Sequence, residues 1–300
     1  MLNFLRRLTN YFPLLLLLTG TQLFSQNVPY NKNYQIACHN CYDPQNAANI
    51  EDVFPFTTAI EIDIWDNFQG SGVLSAGNKM NNDWYVKHDP LQKGNQNCCG
   101  GSFGDCLKRV KTWNDKNPTH NVVTIFIDKK ENWSDANESR KAQDLDQLIA
   151  SIFPKELIFG PANLIGDKEN LKEASISNWP AADALKGKFI FVITDGTEIT
   201  SRKPLNEYIE TLKNTALCFI APQISKENEI RNPNQVTVDN AKNVVFYNLT
   251  YPPGDVPEKI DAINCLSRVF GSPETTTSYY DLLNKRINFI ALDNYKLLKQ

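Results

Sequence analysis

Eight short apolar runs, rich in β-branched and aromatic residues, recur along this 300-residue chain. They are Tyr34–His39, Ala59–Ile64, Trp84–His88, Val122–Asp128, Lys188–Thr194, Leu217–Ala221, Asn243–Asn248 and Ile287–Leu292. Helical spacing separates several of them. Phe103, Leu107, Val110 and Asn114 lie about one turn apart, and both Leu145, Leu148, Ile149, Ile152 and Leu205, Tyr208, Ile209, Leu212 follow the i, i+3, i+4, i+7 rule. Pro204 marks a helix start, and another helix is expected over Pro257–Val269. Strands alternating with helices join by right-handed crossovers into a parallel sheet. Eight of them in about 275 residues match an α/β chain of one domain, a (β/α)8 TIM barrel. The competing open sheet carries a Gly-rich phosphate loop after its first strand; here His39-Asn40-Cys41-Tyr42 follows instead.

The N-terminus is different in kind. Arg6 and Arg7 precede a short apolar run, Phe12–Leu18, and small or polar residues follow to Ser25, with no acid among them. The apolar part is too short to cross a bilayer comfortably, so residues 1–25 read as a secretory signal peptide cleaved near Ser25–Gln26. That leaves residues 26–300 as the barrel domain, in the medium or the periplasm. Loss of Arg6 and Arg7 takes the formal net charge from −3 to −5, which disfavours general nucleic-acid binding. Hydrophobic residues at 41% and charged residues at 22% are those of a globular chain. Export permits disulfides among the seven cysteines, and the odd number leaves at least one thiol unpaired within a monomer. Cys38-x-x-Cys41 has the spacing of a redox or zinc motif, but Cys98, Cys99 and Cys106 do not complete a zinc pattern.

The most informative segment is Ile60-Glu61-Ile62-Asp63-Ile64. Alternation puts the isoleucines on one face and Glu61 and Asp63 on the other. In a parallel barrel both faces are covered. Two carboxylates about 7 Å apart in the barrel mouth repel each other and lose hydration, and a bound cation relieves both costs. Other strand ends carry matching groups: His39 and Asn40 on the first, His88 on the third, Asp128 on the fourth. Barrel enzymes assemble their sites at such ends. Two of the three histidines fall there, which makes His39 and His88 the candidate catalytic pair; His120 falls in a loop. The oxygen-rich set Asn40, Glu61, Asp63 and Asp128 suits Ca²⁺, with Mg²⁺ second, and is a poor zinc site. Lys130 shares a face with Asp128 and is a candidate for holding an anionic substrate.

These motifs, Cys38–Asp43, Glu61–Asn67, Val86–Pro90 and Phe126–Lys130, resemble the X domain of phosphoinositide-specific phospholipase C in order and rough spacing. The gaps are 22 residues from His39 to Glu61, 25 from Asp63 to His88 and 40 from His88 to Asp128. The resemblance is good over residues 34–131 and weaker afterwards, where Leu185–Gly196 and Ile287–Asn294 look like later strands of the same superfamily. It implies His39 and His88 as catalytic histidines, and Asn40, Glu61 and Asp63 as Ca²⁺ ligands. Asp128 stands where the family carries a glutamate ligand. Calcium-independent relatives place an arginine where this chain has Trp65, so the resemblance is to the metal-dependent branch. Family lysines that read extra inositol phosphates are replaced by Val192 and Thr194, which argues against a polyphosphorylated lipid. The implied roles are His88 as general acid and His39 as phosphate stabiliser. The expected substrate is a phospholipid met transiently at a membrane surface, or a glycerophosphodiester, with no obligate protein partner. A glycerophosphodiester phosphodiesterase, a sphingomyelinase D-like lyase and a secreted lipid- or glycan-binding barrel are the alternatives.

Overall fold

A computed structural model describes residues 28–66, 83–88, 99, 101–133, 140–196 and 203–299. The segment 1–25, expected as a signal peptide, and Cys98 lie outside them. The elements run β1 (Gln35–Cys38), β2 (Ala59–Trp65), β3 (Tyr85–Val86), α1 (Phe103–Lys116), β4 (Val123–Lys129), α2 (Ala142–Ile152), α3 (Pro161–Ile165), α4 (Leu171–Ser175), β5 (Phe189–Asp195), α5 (Pro204–Leu212), β6 (Cys218–Ala221), α6 (Glu227–Arg231), β7 (Phe246–Thr250), α7 (Val256–Ala262), β8 (Leu266–Phe270), α8 (Thr276–Asn284) and β9 (Phe289–Leu292). Eight strands run parallel in the order β6-β5-β4-β2-β1-β9-β8-β7. Where β6 meets β7 the ladder gives way to a single parallel bridge, Gln223 to Asn248, with Ile224 N–H donating to the Asn248 carbonyl at 2.9 Å. The expected barrel is therefore present and nearly closed.

Two sequence expectations are corrected. Trp84–His88 is not a barrel strand. Only Tyr85 and Val86 pair, and they run antiparallel to Trp65 and Ile64 at the end of β2. The expected helix over Pro257–Val269 stops at Ala262, and Leu266–Phe270 is the barrel strand β8. Asn264, in the left-handed region at φ 59°, turns the chain between them. A helical period fitted across that turn mistakes alternation for a helix, because Leu266 and Val269 also stand three apart. One strand fewer at β3 and one more at β8 leave the barrel's strand number intact.

Helices pack outside through the residues their periodicity marks. Phe103, Leu107, Val110 and Asn114 of α1 are all buried. Ser102 caps that helix by accepting from Asp105 N–H at 3.3 Å, and the Asp105 carboxylate accepts in return from Ser102 N–H at 3.2 Å. Inside the barrel the strands contribute a column each. On β4, Thr124 accepts or donates with Tyr30 Oη at 2.7 Å at one end, Phe126 packs edge-on against Phe289 at 5.1 Å in the middle, and Asp128 stands at the other end. The interior thus passes from an aromatic floor to a charged mouth.

Candidate active site

The β2–β4 register sets the centre of the mouth. Asp63 and Asp128 are directly paired positions on adjacent strands, and Glu61 lies one inward position deeper than Asp63. All three are buried, at 4%, 1% and 9% exposure for Glu61, Asp63 and Asp128. One oxygen of each falls within 4.8 Å of the others. Such a cluster is costly unless something positive joins it. Burial pushes the Asp63 carboxyl up to about 7; Lys130 pulls it down, while Asp128 and Glu61 raise it further. Asp128 shares that burial, but Lys130 and the Thr194 hydroxyl hold it below the usual carboxylate range. Thr194 donates to Asp128 Oδ1 at 2.7 Å. Glu61 Oε2 and Asp63 Oδ2 are buried and accept no hydrogen bond. Their charged neighbours are His39 Nε2 at 3.4 Å and Lys130 Nζ at 3.1 Å. An all-oxygen set with two such orphaned acceptors fits a hard divalent cation.

His39 follows β1, its N–H continuing the ladder to the Leu292 carbonyl at 2.9 Å. Its Nδ1 meets Asp293 Oδ1 at 2.8 Å and its Nε2 faces Glu61. Burial works against a proton on this ring, but the Glu61 charge and the Asp293 hydrogen bond outweigh it and raise the pKa above the ordinary histidine value. Asp293 is likewise pulled up by burial and held lower overall by His39. Asn40 takes a left-handed backbone conformation, φ 52°, which asparagine tolerates better than most residues. Its Oδ1 accepts from Tyr42 Oη at 3.0 Å, and its Nδ2 lies 3.3 Å from Asp293 Oδ1.

His88 is exposed and follows the short β3. Its backbone is fixed from β2. Trp65 Nε1 donates to the Lys87 carbonyl at 2.8 Å, and Lys87 Nζ lies 5.4 Å from the Trp65 ring centre. One residue on, Asp66 Oδ1 accepts from Trp84 Nε1 at 2.9 Å and from the wholly buried Lys129 at 2.7 Å. His39 and His88 line one cavity of about 620 Å³, together with Glu61, Asp128, Lys130 and Arg268.

Lys130 Nζ bridges Asp128 Oδ2 at 2.5 Å and Asp63 Oδ2 at 3.1 Å, so alternation does bring Asp128 and Lys130 together. His120 is remote from this site: its ring nitrogens bond Asn114 Oδ1 and the Asn121 carbonyl. Three contributors escaped the sequence reading. Arg268 ion-pairs with Glu61 Oε1 at 2.7 Å and donates to Asn248 Oδ1 at 2.8 Å, over the Phe126 ring. It was concealed by the misassigned helix. Asp293 closes β9 as His39 closes β1, so the strand-end rule, applied once more, finds it. Gly196 passes so close to the centre that a Cβ would meet Asp128 Oδ2 at 2.6 Å.

A parallel barrel with a buried carboxylate cluster and an imidazole–carboxylate pair at its mouth defines a TIM-barrel phosphodiesterase. The chain belongs to the calcium-dependent phosphoinositide phospholipase C family, whose model matches residues 90–241. Among solved structures it is similar to the calcium-dependent phosphoinositol-specific phospholipase C of a Gram-negative Pseudomonas species, determined with myoinositol. The TM-score is 0.81 at 28% identity, covering 90% of this chain and 91% of that one. The calcium-dependent phosphatidylinositol-specific phospholipase C of Streptomyces antibioticus shares the fold, with a TM-score of 0.75 at 20% identity over 91% of this chain and 98% of that one. Comparison with curated proteins finds no significant match.

Proposed function

We propose that this protein is an exported, calcium-dependent phosphatidylinositol-specific phospholipase C. The observation that carries the reading is the buried, all-oxygen cluster of Glu61, Asp63 and Asp128 beside His39, two of whose oxygens, Glu61 Oε2 and Asp63 Oδ2, accept no hydrogen bond, in a cavity that His88 also lines. Asn40, Glu61, Asp63 and Asp128 would hold the ion. Bound there, Ca²⁺ would offset charge developing on the phosphate and make the attacking hydroxyl more acidic. His39 hydrogen-bonds a phosphoryl oxygen through Nε2, while Asp293 meets Nδ1 and fixes the ring. His88, at the exposed rim, protonates the leaving glycerol oxygen. Lys130 and Arg268 bring positive charge to the cavity for the anionic phosphodiester. With an inositol lipid the 2-hydroxyl attacks, so a cyclic phosphate forms first.

An unphosphorylated inositol fits the cavity better than a polyphosphorylated one. Among the described lining residues the permanent cations are Lys130 and Arg268, against Glu61, Asp128, Asp195 and Glu229. The β5 positions Val192 and Thr194 offer no charge to a further phosphate, and Thr194 is committed to Asp128. Disulfides Cys38–Cys41 and Cys99–Cys106 accord with export; cleavage near Ser25 and action at a membrane surface belong to the same proposal. The test is headgroup release from phosphatidylinositol vesicles with and without chelator, beside glycerophosphocholine. Chelator-sensitive release from phosphatidylinositol is expected. Preference for glycerophosphocholine, or indifference to chelator, would replace the reading with the glycerophosphodiesterase or a metal-independent one.

A further inference from the structure

The Cys38-x-x-Cys41 motif takes no part in the chemistry above, yet it brackets that chemistry. The two residues between its half-cystines are His39 and Asn40, and the structure joins Cys38 to Cys41 across a Cα separation of 5.6 Å. We infer that this disulfide is a positioning device: it holds Asn40 in its left-handed conformation and His39 on Asp293, so that the site binds its ion and substrate only when the bond is oxidised. The inference rests on the reading of His39 and Asn40 given above.

Cys38 is the anchored end of the clamp. It pairs with Leu292 on one side and Ile60 on the other, so both neighbouring barrel strands fix it. The chain must then leave the strand, place an imidazole on Asp293, and reverse through φ 52° at Asn40. Asparagine tolerates that conformation, so what the turn needs is an anchor at its far end rather than relief of strain. Beyond Asn40, Asp43 N–H donates back to the Asn40 carbonyl at 2.9 Å, and Asn46 Nδ2 adds a long contact at 3.4 Å. Asp293, the partner shared by His39 and Asn40, is itself half exposed. The bridge ties the far end of this turn back to the strand. A redox catalyst needs an accessible sulfur for thiolate attack. Cys38 and Cys41 are both wholly buried, so this pair meets an external thiol only when the loop opens, and in the closed protein it constrains that loop. Breaking it takes two electrons and two protons from a dithiol, which closes to its own disulfide as Cys38 and Cys41 become thiols.

The experiment compares wild type, C38A/C41A and N40A for Ca²⁺ dissociation constant by calorimetry, kcat on phosphatidylinositol at saturating Ca²⁺, and thermal midpoint. C38A/C41A is expected to bind Ca²⁺ about 10–100-fold more weakly, the usual effect of losing support behind a ligand. It should also lose kcat at saturating Ca²⁺, while remaining folded at the assay temperature. N40A should weaken Ca²⁺ similarly, and the triple variant should add little. A C38A/C41A protein with wild-type affinity and kcat but a lower thermal midpoint makes the bridge merely structural and overturns the inference alone. Wild type that binds no Ca²⁺ overturns the proposed function and the inference together. If C38A/C41A does not fold, wild type is poised across dithiothreitol ratios, with mass mapping of residues 38 and 41. Ca²⁺ affinity must then fall in step with loss of that bridge, and full affinity with both thiols free overturns the inference.

Discussion

The carboxylates of the mouth are arranged for an ion at the expense of the fold. Asp63, pushed up to about 7 by burial beside Asp128 and Glu61, keeps a proton in the folded protein that the unfolded chain releases near its ordinary 3.8. Its contribution therefore favours folding most below about pH 4 and is gone above about pH 7. In chelator, the thermal midpoint should fall as pH rises from about 5 to about 8, and D63N should flatten that slope. Equal slopes for D63N and wild type would show that Asp63 does not titrate there. Ca²⁺ at about 100 times its dissociation constant should restore about 2.7 kcal/mol, and E61Q should lose most of that gain in calorimetric melts. His39→Ala and His88→Ala should each lower kcat by about 10²–10⁴, the range for acid–base and phosphate-binding histidines. Near-wild-type turnover in either would remove that residue from the mechanism.

At the scale of elements, the end of β2 does two jobs. Glu61 and Asp63 point into the barrel, while Trp65 and Asp66 hold the segment that carries His88. This segment lacks the ladder of a barrel strand, and the bonds from Trp65 and Asp66 help to place it. W65F keeps the ring and removes the indole N–H from the Lys87 carbonyl. It should cost about tenfold in kcat, the worth of one buried hydrogen bond, with Ca²⁺ affinity unchanged. A change in Ca²⁺ affinity instead would mean that Trp65 acts on the carboxylates. Gly196, at the end of β5, works by having no side chain: in G196A the new methyl would press on both Asp128 oxygens and on Lys130. Loss of Ca²⁺ affinity with the fold retained is the expected outcome, read by calorimetry and circular dichroism.

At the scale of the whole molecule, the barrel wall seals the two cysteines that, among the described residues, the disulfides leave over. Burial raises the Cys218 thiol well above its usual value, with Asp146 close by, and pushes Cys265 up to about 11. Both sit against the outer helices, Cys218 beside Tyr208 of α5 and Cys265 beside Ser175 of α4. Neither has appreciable thiolate near neutral pH, so both should resist a maleimide in the native protein and react together on global unfolding. Peptide mapping after labelling checks this; native labelling of Cys218 would show that the wall opens locally.

Much of the molecule was legible because its signals are local. Alternation in Ala59–Ile64 sorted Glu61 and Asp63 from their isoleucine neighbours. The helical period marked the buried faces of α1, α2 and α5, and the strand-helix rhythm specified a parallel barrel. The helix drawn across Asn264 was a local error; the other failures were non-local. Nothing in Trp84–His88 states that it pairs backwards onto β2, because strand direction is settled by the partner. Arg268 gains its meaning from Glu61, 207 positions away in the chain. Asp293 does so from His39, across 254. The sequence by itself determined which residue types stand at each strand end. Only closure of the barrel decided which ends meet, because side chains from opposite ends of the chain come within bonding distance only when β9 pairs with β1.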